Sequence, residues 1–354
     1  MTYILSSDWH CHSWSQFATM NDGINSRLAS IMMEIERQAV EAQKVDAHSI
    51  YVAGDIFHVR GSIKPTVFNP IAEMLAYCAK NYEVEFILMP GNHDLESAET
   101  ESMSSAITSL SAIDGVRVVN APTIFKEDGV IMIPWHSTRE GLTSVIEEMV
   151  ASVKNPSEYD LILHTGINGV IMGMPDHGWA AEELATFGFG RVFCGHYHNH
   201  KSFDLNPTTY GDAGVVSIGA TTHQTWSDVG TKAGFLVVDY ESFRHVESAA
   251  PIFKDFTALE DIDEVKDNFI RVRGIELEES EIRGMREEIM SAGAKGVIID
   301  PLVKRDAHRP DIKASGGVSV EAQISEYSSE HYGDLAGEIE KEAIAILGEV
   351  RSVA

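Results

Sequence analysis

The chain has 354 residues, too many for one ordinary domain and suited to a large domain with a smaller companion. Hydrophobic residues make up 44% of it and there is no low-complexity tract, which excludes wholesale disorder. With 27 Lys and Arg against 54 Asp and Glu, the net charge of −27 argues against a protein that grips nucleic acid through a broad basic face of its own. No apolar run approaches the ~20 residues that cross a bilayer, and Tyr3-Ile4-Leu5 leads straight into polar residues instead of a signal peptide. The expectation is a cytoplasmic protein. The three cysteines, Cys11, Cys78 and Cys194, lie far apart without a CxxC pair, as buried free thiols in a reducing compartment would.

Apolar runs alternate with helical patterns to about residue 240. Strands are expected at Tyr3–Ser6, Ser49–Ala53, Glu85–Met89, Val116–Val119, Val130–Ile133, Leu161–Leu163, Arg191–Cys194, Val215–Ile218 and Gly234–Val238. Ile24, Leu28, Ile31, Ile35 and Ala39 recur at helical spacing between the first two. A second helix is expected after Pro70, through Ile71, Met74, Leu75 and Cys78, and a third through Ala106, Ile107, Leu110 and Ile113. Alternation of this kind points to an α/β fold with at least one largely parallel sheet. After about Ala250 the pattern changes. Asn268–Leu277 reads as a strand, Ser280–Ala292 as a helix and Gly296–Val303 as a strand, a small β-α-β unit. The most basic stretch follows (Lys304, Arg305, His308, Arg309 and Lys313), then a flexible linker over Ala314–Val318. Val320 to Val350 is acidic and helical in pattern, with a break expected near Gly333 and Gly337. The domains expected are therefore 1–250, 251–313 and 314–354.

Five clusters of metal-type ligands follow the apolar runs: Asp8-Trp9-His10, Gly54-Asp55-Ile56-Phe57-His58, Gly91-Asn92-His93-Asp94, His164-Thr165-Gly166 and Gly195-His196-Tyr197-His198. In an open α/β sheet, loops at the carboxyl ends of strands converge, so ligands distant in sequence meet there. Asp8 and His10 share a face of an extended segment, as do His196 and His198. Gly54, Gly91 and Gly195 permit sharp turns and close backbone approach. Carboxylates, imidazoles and one carboxamide in these numbers suit two cations, a recurrent device for hydrolysing phosphate esters. His48, His136, His177, His200, His223, His245, His308 and His331 read as surface or hydrogen-bonded structural residues, with His200 and His223 the best placed to be exceptions.

The ordered pattern D-x-H, GD, GNHD, H, GHxH resembles the calcineurin-like metallophosphoesterase superfamily. That resemblance implies a two-sheet sandwich flanked by helices, with one cation held by Asp8, His10, Asp55 and His198 and the other by Asp55, Asn92, His164 and His196. It also implies His93 as general acid and Asp94 as the group that orients it. Within the superfamily the chain is most similar to the nuclease subunit of the SbcC–SbcD and meiotic-recombination-eleven type, including phage recombination endonuclease subunits. Asp55-Ile56-Phe57-His58-Val59-Arg60, Ile133-Pro134-Trp135, Ser217-Ile218-Gly219 and Gly234-Phe235-Leu236-Val237-Val238-Asp239 match that branch. This closer resemblance implies a manganese- or magnesium-dependent DNA nuclease from a bacterium or phage, with 3′-to-5′ exonuclease and single-strand endonuclease activity, in which His58 helps to position the strand. The β-α-β unit would be a capping domain. The C-terminal helices would dock on an SMC-like ATPase, in a heterotetramer built around a homodimer. Cys11-His12, where relatives carry an apolar residue and Gly, and Gly219-Ala220-Thr221, in place of a Gly-Ser-Pro type sequence, depart from the pattern.

Three rivals compete. Asp8-Trp9-His10-Cys11-His12, with Asp306-Ala307-His308, also resembles polymerase-and-histidinol-phosphatase domains, but Gly-Asn-His-Asp and Gly-His-x-His have no role in those distorted barrels. A superfamily member acting on a small phosphodiester or phosphoprotein would need neither cap nor helical tail, an argument by analogy. A non-catalytic scaffold would not need the complete ligand set.

Overall fold

The computed structural model describes residues 2–97, 105–173, 175, 177–205, 214–257, 262–277, 279–302 and 319–353. Two compact units divide the chain, residues 1–302 and 303–354. In the first, β1 (Tyr3–Ser6), β4 (Ser49–Ala53), β5 (Glu85–Met89) and β6 (Val116–Val118) lie parallel, and β13 (Gly234–Val238) and β14 (Phe243–Glu247) join antiparallel beside β1. Their order is β14-β13-β1-β4-β5-β6. A second six-stranded sheet places β8 (Val130–Ile133), β9 (Asp160–His164), β10 (Arg191–Gly195) and β12 (Gly214–Ser217) parallel to one another. Its edges are the antiparallel strands β7 (Thr123–Phe125) and β11 (Lys201–Phe203). A short hairpin, β2 (Met20–Asn21) with β3 (Ile24–Asn25), precedes the first helix.

The central strands are apolar on both faces because both faces are covered. Tyr3, Leu5, Tyr51, Ala53, Ile87 and Met89 of the first sheet pack against Met132, Ile162, Phe193 and Val216 of the second. The alternate residues Ile4, Ile50, Val52, Phe86 and Leu88 face helices α1 (Ser26–Lys44) and α2 (Pro65–Tyr82). On the far side, Ile131, Ile133, Leu161 and Leu163 pack with α3 (Arg139–Ser152) and α4 (Ala181–Ala185). The result is a helix–sheet–sheet–helix sandwich, the α/β architecture expected, and no single closed barrel. Helix α1 follows from its sequence. The Asn25 side chain accepts from Arg27 N and Leu28 N at 3.0 and 3.2 Å, and Leu28, Ile31, Ile35, Ala39 and Ala42 bury one stripe.

Helix α2 begins earlier than expected, at Pro65, and Pro70 lies inside it. Pro65 occupies the first turn, where its missing N–H costs nothing. Pro70 leaves only the carbonyl of Thr66 without its usual partner, and Thr66 is exposed to water. The helix expected through Ala106–Ile113 is a 3₁₀ turn, Thr108–Ala112. Helices α3 and α4 and strands β7, β11 and β14 were not legible from apolar spacing.

Residues after Ala250 form a three-stranded parallel sheet, β15 (Phe253–Phe256), β16 (Phe269–Arg273) and β17 (Gly296–Asp300), covered by α5 (Glu279–Ser291). Strand β15 extends the expected β-α-β unit, whose core is Val265, Ile270, Val272, Ile289, Ala294 and Val297. In the second unit, α6 (Val320–His331) and α7 (Ala336–Val353) pack together across a 3₁₀ turn at Gly333–Leu335. The break falls at Gly333, and Gly337 stays within α7. The basic run Lys304–Lys313, the linker Ala314–Val318 and the pair Asp306 and His308 lie outside the described residues. Among the described residues no helix is long and apolar enough to cross a membrane.

Candidate metal centre

Every ligand cluster leaves the carboxyl end of a parallel strand. Asp8 and His10 follow β1, Asp55 follows β4, Asn92 and His93 follow β5, His164 ends β9, and His196 and His198 follow β10. The loops after β1 and β4 stay paired beyond the sheet, through Asp8 N to Gly54 O (3.0 Å), His10 N to Asp55 O (2.9 Å) and Cys11 N to Ile56 O (2.8 Å). Asp8, His10, Asp55 and His196 all have positive φ, at 52°, 45°, 54° and 98°. Such strain in residues other than glycine gathers where side chains must converge. Gly54 is required on two counts, its φ of 90° and its contacts, because a Cβ there would overlap the His164 ring and the Gly91 backbone.

Two clusters of potential ligands result. Asp8, His10 and His198 form one, and Asp55, His164 and His196 the other. Asn92 joins the second cluster, its Oδ1 3.1 Å from His164 Nε2 and 3.0 Å from His196 Nδ1. Asp55 lies between the clusters: its Oδ2 is 3.6 Å from His10 Nε2 and 3.4 Å from His164 Nε2. The structure thus brings together all seven residues expected to be ligands.

The donor set fits cations. Asp8 Oδ1 is buried and has no hydrogen-bond partner, while its Oδ2 accepts from Ser7 Oγ and from His196 N at 3.0 Å. His10 Nε2 and His198 Nε2 lie 3.3 Å apart, close enough for both to serve one cation. His164 Nδ1 donates to the Ala53 carbonyl at 2.7 Å and His198 Nδ1 to Asp228 Oδ1 at 2.9 Å, so in both rings Nε2 is the atom left for a ligand bond.

Charge is distributed accordingly. Burial raises the Asp55 carboxyl, but His164, His10 and His93 together outweigh it and hold that group well below the carboxylate range. Burial also lowers His164, yet Asp55 and Asp8 overcome it and bring the ring up to about 9. Burial, reinforced by His164, pushes His196 down to about 3. Asp8 is raised, by burial first and then by Asp55.

His58 and His93 lie beside the first cluster, and with His10 they make a third group of potential ligands. Their rings stack at 5.4 Å. His58 Nδ1 is 3.2 Å from His10 Nδ1, so His58 touches the back of a candidate ligand. Burial, then His93, pushes His58 down to about 4. His93 Nδ1 donates to the His58 carbonyl at 2.7 Å, which fixes the ring and leaves Nε2 free. His12 adjoins this group, 5.2 Å from the ring of His58.

The expected role of Asp94 needs correction. Its carboxylate takes the amides of Ile56 (3.1 Å), Phe57 (2.9 Å) and Gly91 (2.9 Å), while a backbone carbonyl orients His93. Buried without exposure, Asp94 ties the β4 and β5 loops together. His200 and His223 are also structural. His200 Nδ1 lies 3.1 Å from Ser217 O, and His223 accepts from Phe253 N at 3.1 Å. The cysteines are free and buried, as expected.

Sequence reasoning missed three supporting residues: Ser7, Gln224 and Asp228. Gln224 Nε2 donates to the Asp8 carbonyl at 3.0 Å. Asp228 accepts from His198 and, through Oδ2, from Gln224 N and Thr225 N at 2.8 Å each. The only local signal was Thr225-x-x-Asp228, which reads as a turn and says nothing of His198.

Residues 1–200 match the family model described as Calcineurin-like phosphoesterase. Similar solved structures include a dimetal phosphatase from Danio rerio, 8% identical with a TM-score of 0.42, the match covering 70% of this chain and 99% of that one. They also include GAP50, the anchor in the inner membrane complex of Plasmodium, 9% identical with a TM-score of 0.41, covering 70% and 89%. Comparison with curated proteins finds no match.

Proposed function

The chain belongs to the calcineurin-like phosphoesterases, metal-dependent hydrolases of phosphate esters, and from that premise we propose that it is a two-metal DNA nuclease subunit partnered by an SMC-like ATPase. The observation that supports two cations over one is the position of Asp55, whose Oδ2 lies within 3.6 Å of an imidazole from each ligand group. Asp8, His10, Asp55 and His198 would hold one divalent ion, manganese or magnesium. Asp55, Asn92, His164 and His196 would hold the other. When bound, such ions supply the positive charge that activates water and neutralises a phosphoryl group.

The chain's own groups do the rest. With Nδ1 fixed on the His58 carbonyl, His93 in its imidazolium form would give the proton on Nε2 to a leaving oxygen and be left as the neutral ring. His58 braces His10 from behind and stacks on His93, so it keeps both in register. Asp94 ties together the loops that carry Asp55 and Asn92. The preference for DNA draws on the resemblance running from Asp55 to Arg60, on the β15–β17 unit standing in the chain where that branch carries its cap, and on the paired helices α6 and α7. The net charge of −27 fits a divided task, in which the ATPase supplies most of the affinity for DNA.

The test is hydrolysis with and without manganese, on duplex DNA, single-stranded DNA and bis(p-nitrophenyl) phosphate. Manganese-dependent cleavage of both DNA forms is expected. Turnover of the small diester with both DNA forms left intact would refute the nuclease reading and favour a small-molecule or phosphoprotein substrate.

A further inference from the structure

We propose that the segment Thr221–Thr231 couples the β15–β17 cap to one half of the metal centre, with Asp228 and Gln224 as positioning residues; the inference rests on the two-metal reading above. On the cap side, Trp226 lies 4.7 Å from the ring of Phe253 and Arg271 Cζ lies 4.5 Å from the ring of Trp226. The Phe253 amide donates to His223 Nδ1 at 3.1 Å. Arg27 of α1 completes this joint. It is 6% exposed, its guanidinium lies 5.1 and 5.3 Å from the rings of Phe253 and Phe269, and it donates to the Gln224 carbonyl at 2.5 Å.

On the other side the same segment reaches the first ligand group twice and the residue before it once. Thr221 Oγ1 donates to Ser7 O at 3.2 Å, Gln224 Nε2 to Asp8 O at 3.0 Å, and His198 Nδ1 to Asp228 Oδ1 at 2.9 Å. Asp228 makes the segment stiff, because its second oxygen closes the turn on Gln224 N and Thr225 N. Thr221, Gln224 and Asp228 are buried at 0%, 2% and 2% exposure, so water offers little replacement for these bonds.

The coupling is unequal. In the second ligand group His164 is fixed by the Ala53 carbonyl and Asn92 by its position after β5, and only His196, whose amide donates to Asp8 Oδ2 at 3.0 Å, touches a coupled residue directly. A shift of the cap would move Trp226 and Gln224, and with them the Asp8 backbone and the His198 ring, while His164 and Asn92 stayed in place. Cap position would then act more strongly on the occupancy of the Asp8–His10–His198 site than on that of the other.

The experiment is manganese titration of the full chain by calorimetry, with electron paramagnetic resonance to report a spin-coupled pair. The wild type is expected to bind two ions and show the coupled signal. Asp228→Ala should weaken one site by about 10–100-fold, as loss of a carboxylate behind a ligating histidine commonly does. At a manganese level that saturates the wild type, its spectrum should be that of a single ion. Phe269→Ala, which loosens the joint from the cap, should weaken the same site several-fold. If Asp228→Ala weakens both sites alike or keeps the coupled signal, the coupling is wrong. It is equally wrong if Phe269→Ala loosens the cap by hydrogen exchange yet titrates like wild type. Should Asp228→Ala not fold, Phe269→Ala alone decides. A wild-type chain that binds fewer than two ions overturns the two-metal reading itself; two ions with unchanged variants overturn only the coupling.

Discussion

Replacing Asp94 tests whether it orients a catalytic ring or ties two loops together. In Asp94→Ala three buried amides, those of Ile56, Phe57 and Gly91, lose their acceptor. Each unsatisfied buried N–H costs about 1–3 kcal/mol, and a water entering the space left by the carboxylate would recover part of it. A loss of about 3–6 kcal/mol is therefore expected, a large share of a typical domain's ~5–15 kcal/mol. In Asp94→Asn the amide oxygen can take the place of Oδ2 and keep Ile56 N and Gly91 N, so only the bond to Phe57 N fails. The loss should fall to about 1–3 kcal/mol. His93→Ala removes one ring hydrogen bond and should cost about 1 kcal/mol. Burial, then the Asp55 charge, raises the Asp94 carboxyl, so holding its ionised form offsets part of this loss, and denaturant unfolding of the metal-free chain at a single pH compares the variants. The reasoning fails if Asp94→Ala is no less stable than His93→Ala.

The other predictions concern chemistry, partner and metal. His93→Ala should abolish DNA cleavage while calorimetry still detects two manganese ions; loss of an ion would remove its assignment as the acid. A chain truncated after Val318 should no longer capture the SMC-like ATPase in a pull-down, yet should keep manganese-dependent cleavage of single strands. Chelation should lower the melting temperature, since ions at 100 times their dissociation constant stabilise by about 2.7 kcal/mol per site. An unchanged melting curve with and without manganese would count against ligands held by the folded state.

The central sandwich was legible because its strands are buried on both faces, and unbroken apolar runs such as Tyr3–Ser6 and Val130–Ile133 announce that. Edge strands and short helices were not. The β14 residues are partly exposed and mixed in character, and α4 has only Ala181, Leu184 and Ala185 to show as a buried stripe. Pro70 misled because a proline in the first turns of a helix with an exposed Thr66 costs less than one deep in a core. The metal-type residues were legible by type and order. The groups behind them were not, since Asp228 reaches His198 across 30 residues and Gln224 reaches Asp8 across 216.

The loop conformations show the limit most clearly. Glycines were expected to absorb the turns, and Gly54 does so at φ 90°, yet Asp8, His10, Asp55 and His196 also take left-handed backbone conformations. Each such residue costs about 1–3 kcal/mol, which no local propensity offsets. What offsets it is non-local. The β1 and β4 loops remain hydrogen-bonded to each other past the sheet, Asp94 takes three amides from the β4 and β5 loops, and Gln224 holds the Asp8 carbonyl. Strain at the ligands and buried polar bonds behind them are thus two sides of one arrangement. A local pattern can name the strained residues by their chemistry, but the bonds that hold them exist only once strands distant in sequence have paired and, for Gln224 on Asp8, once the two sheets have met.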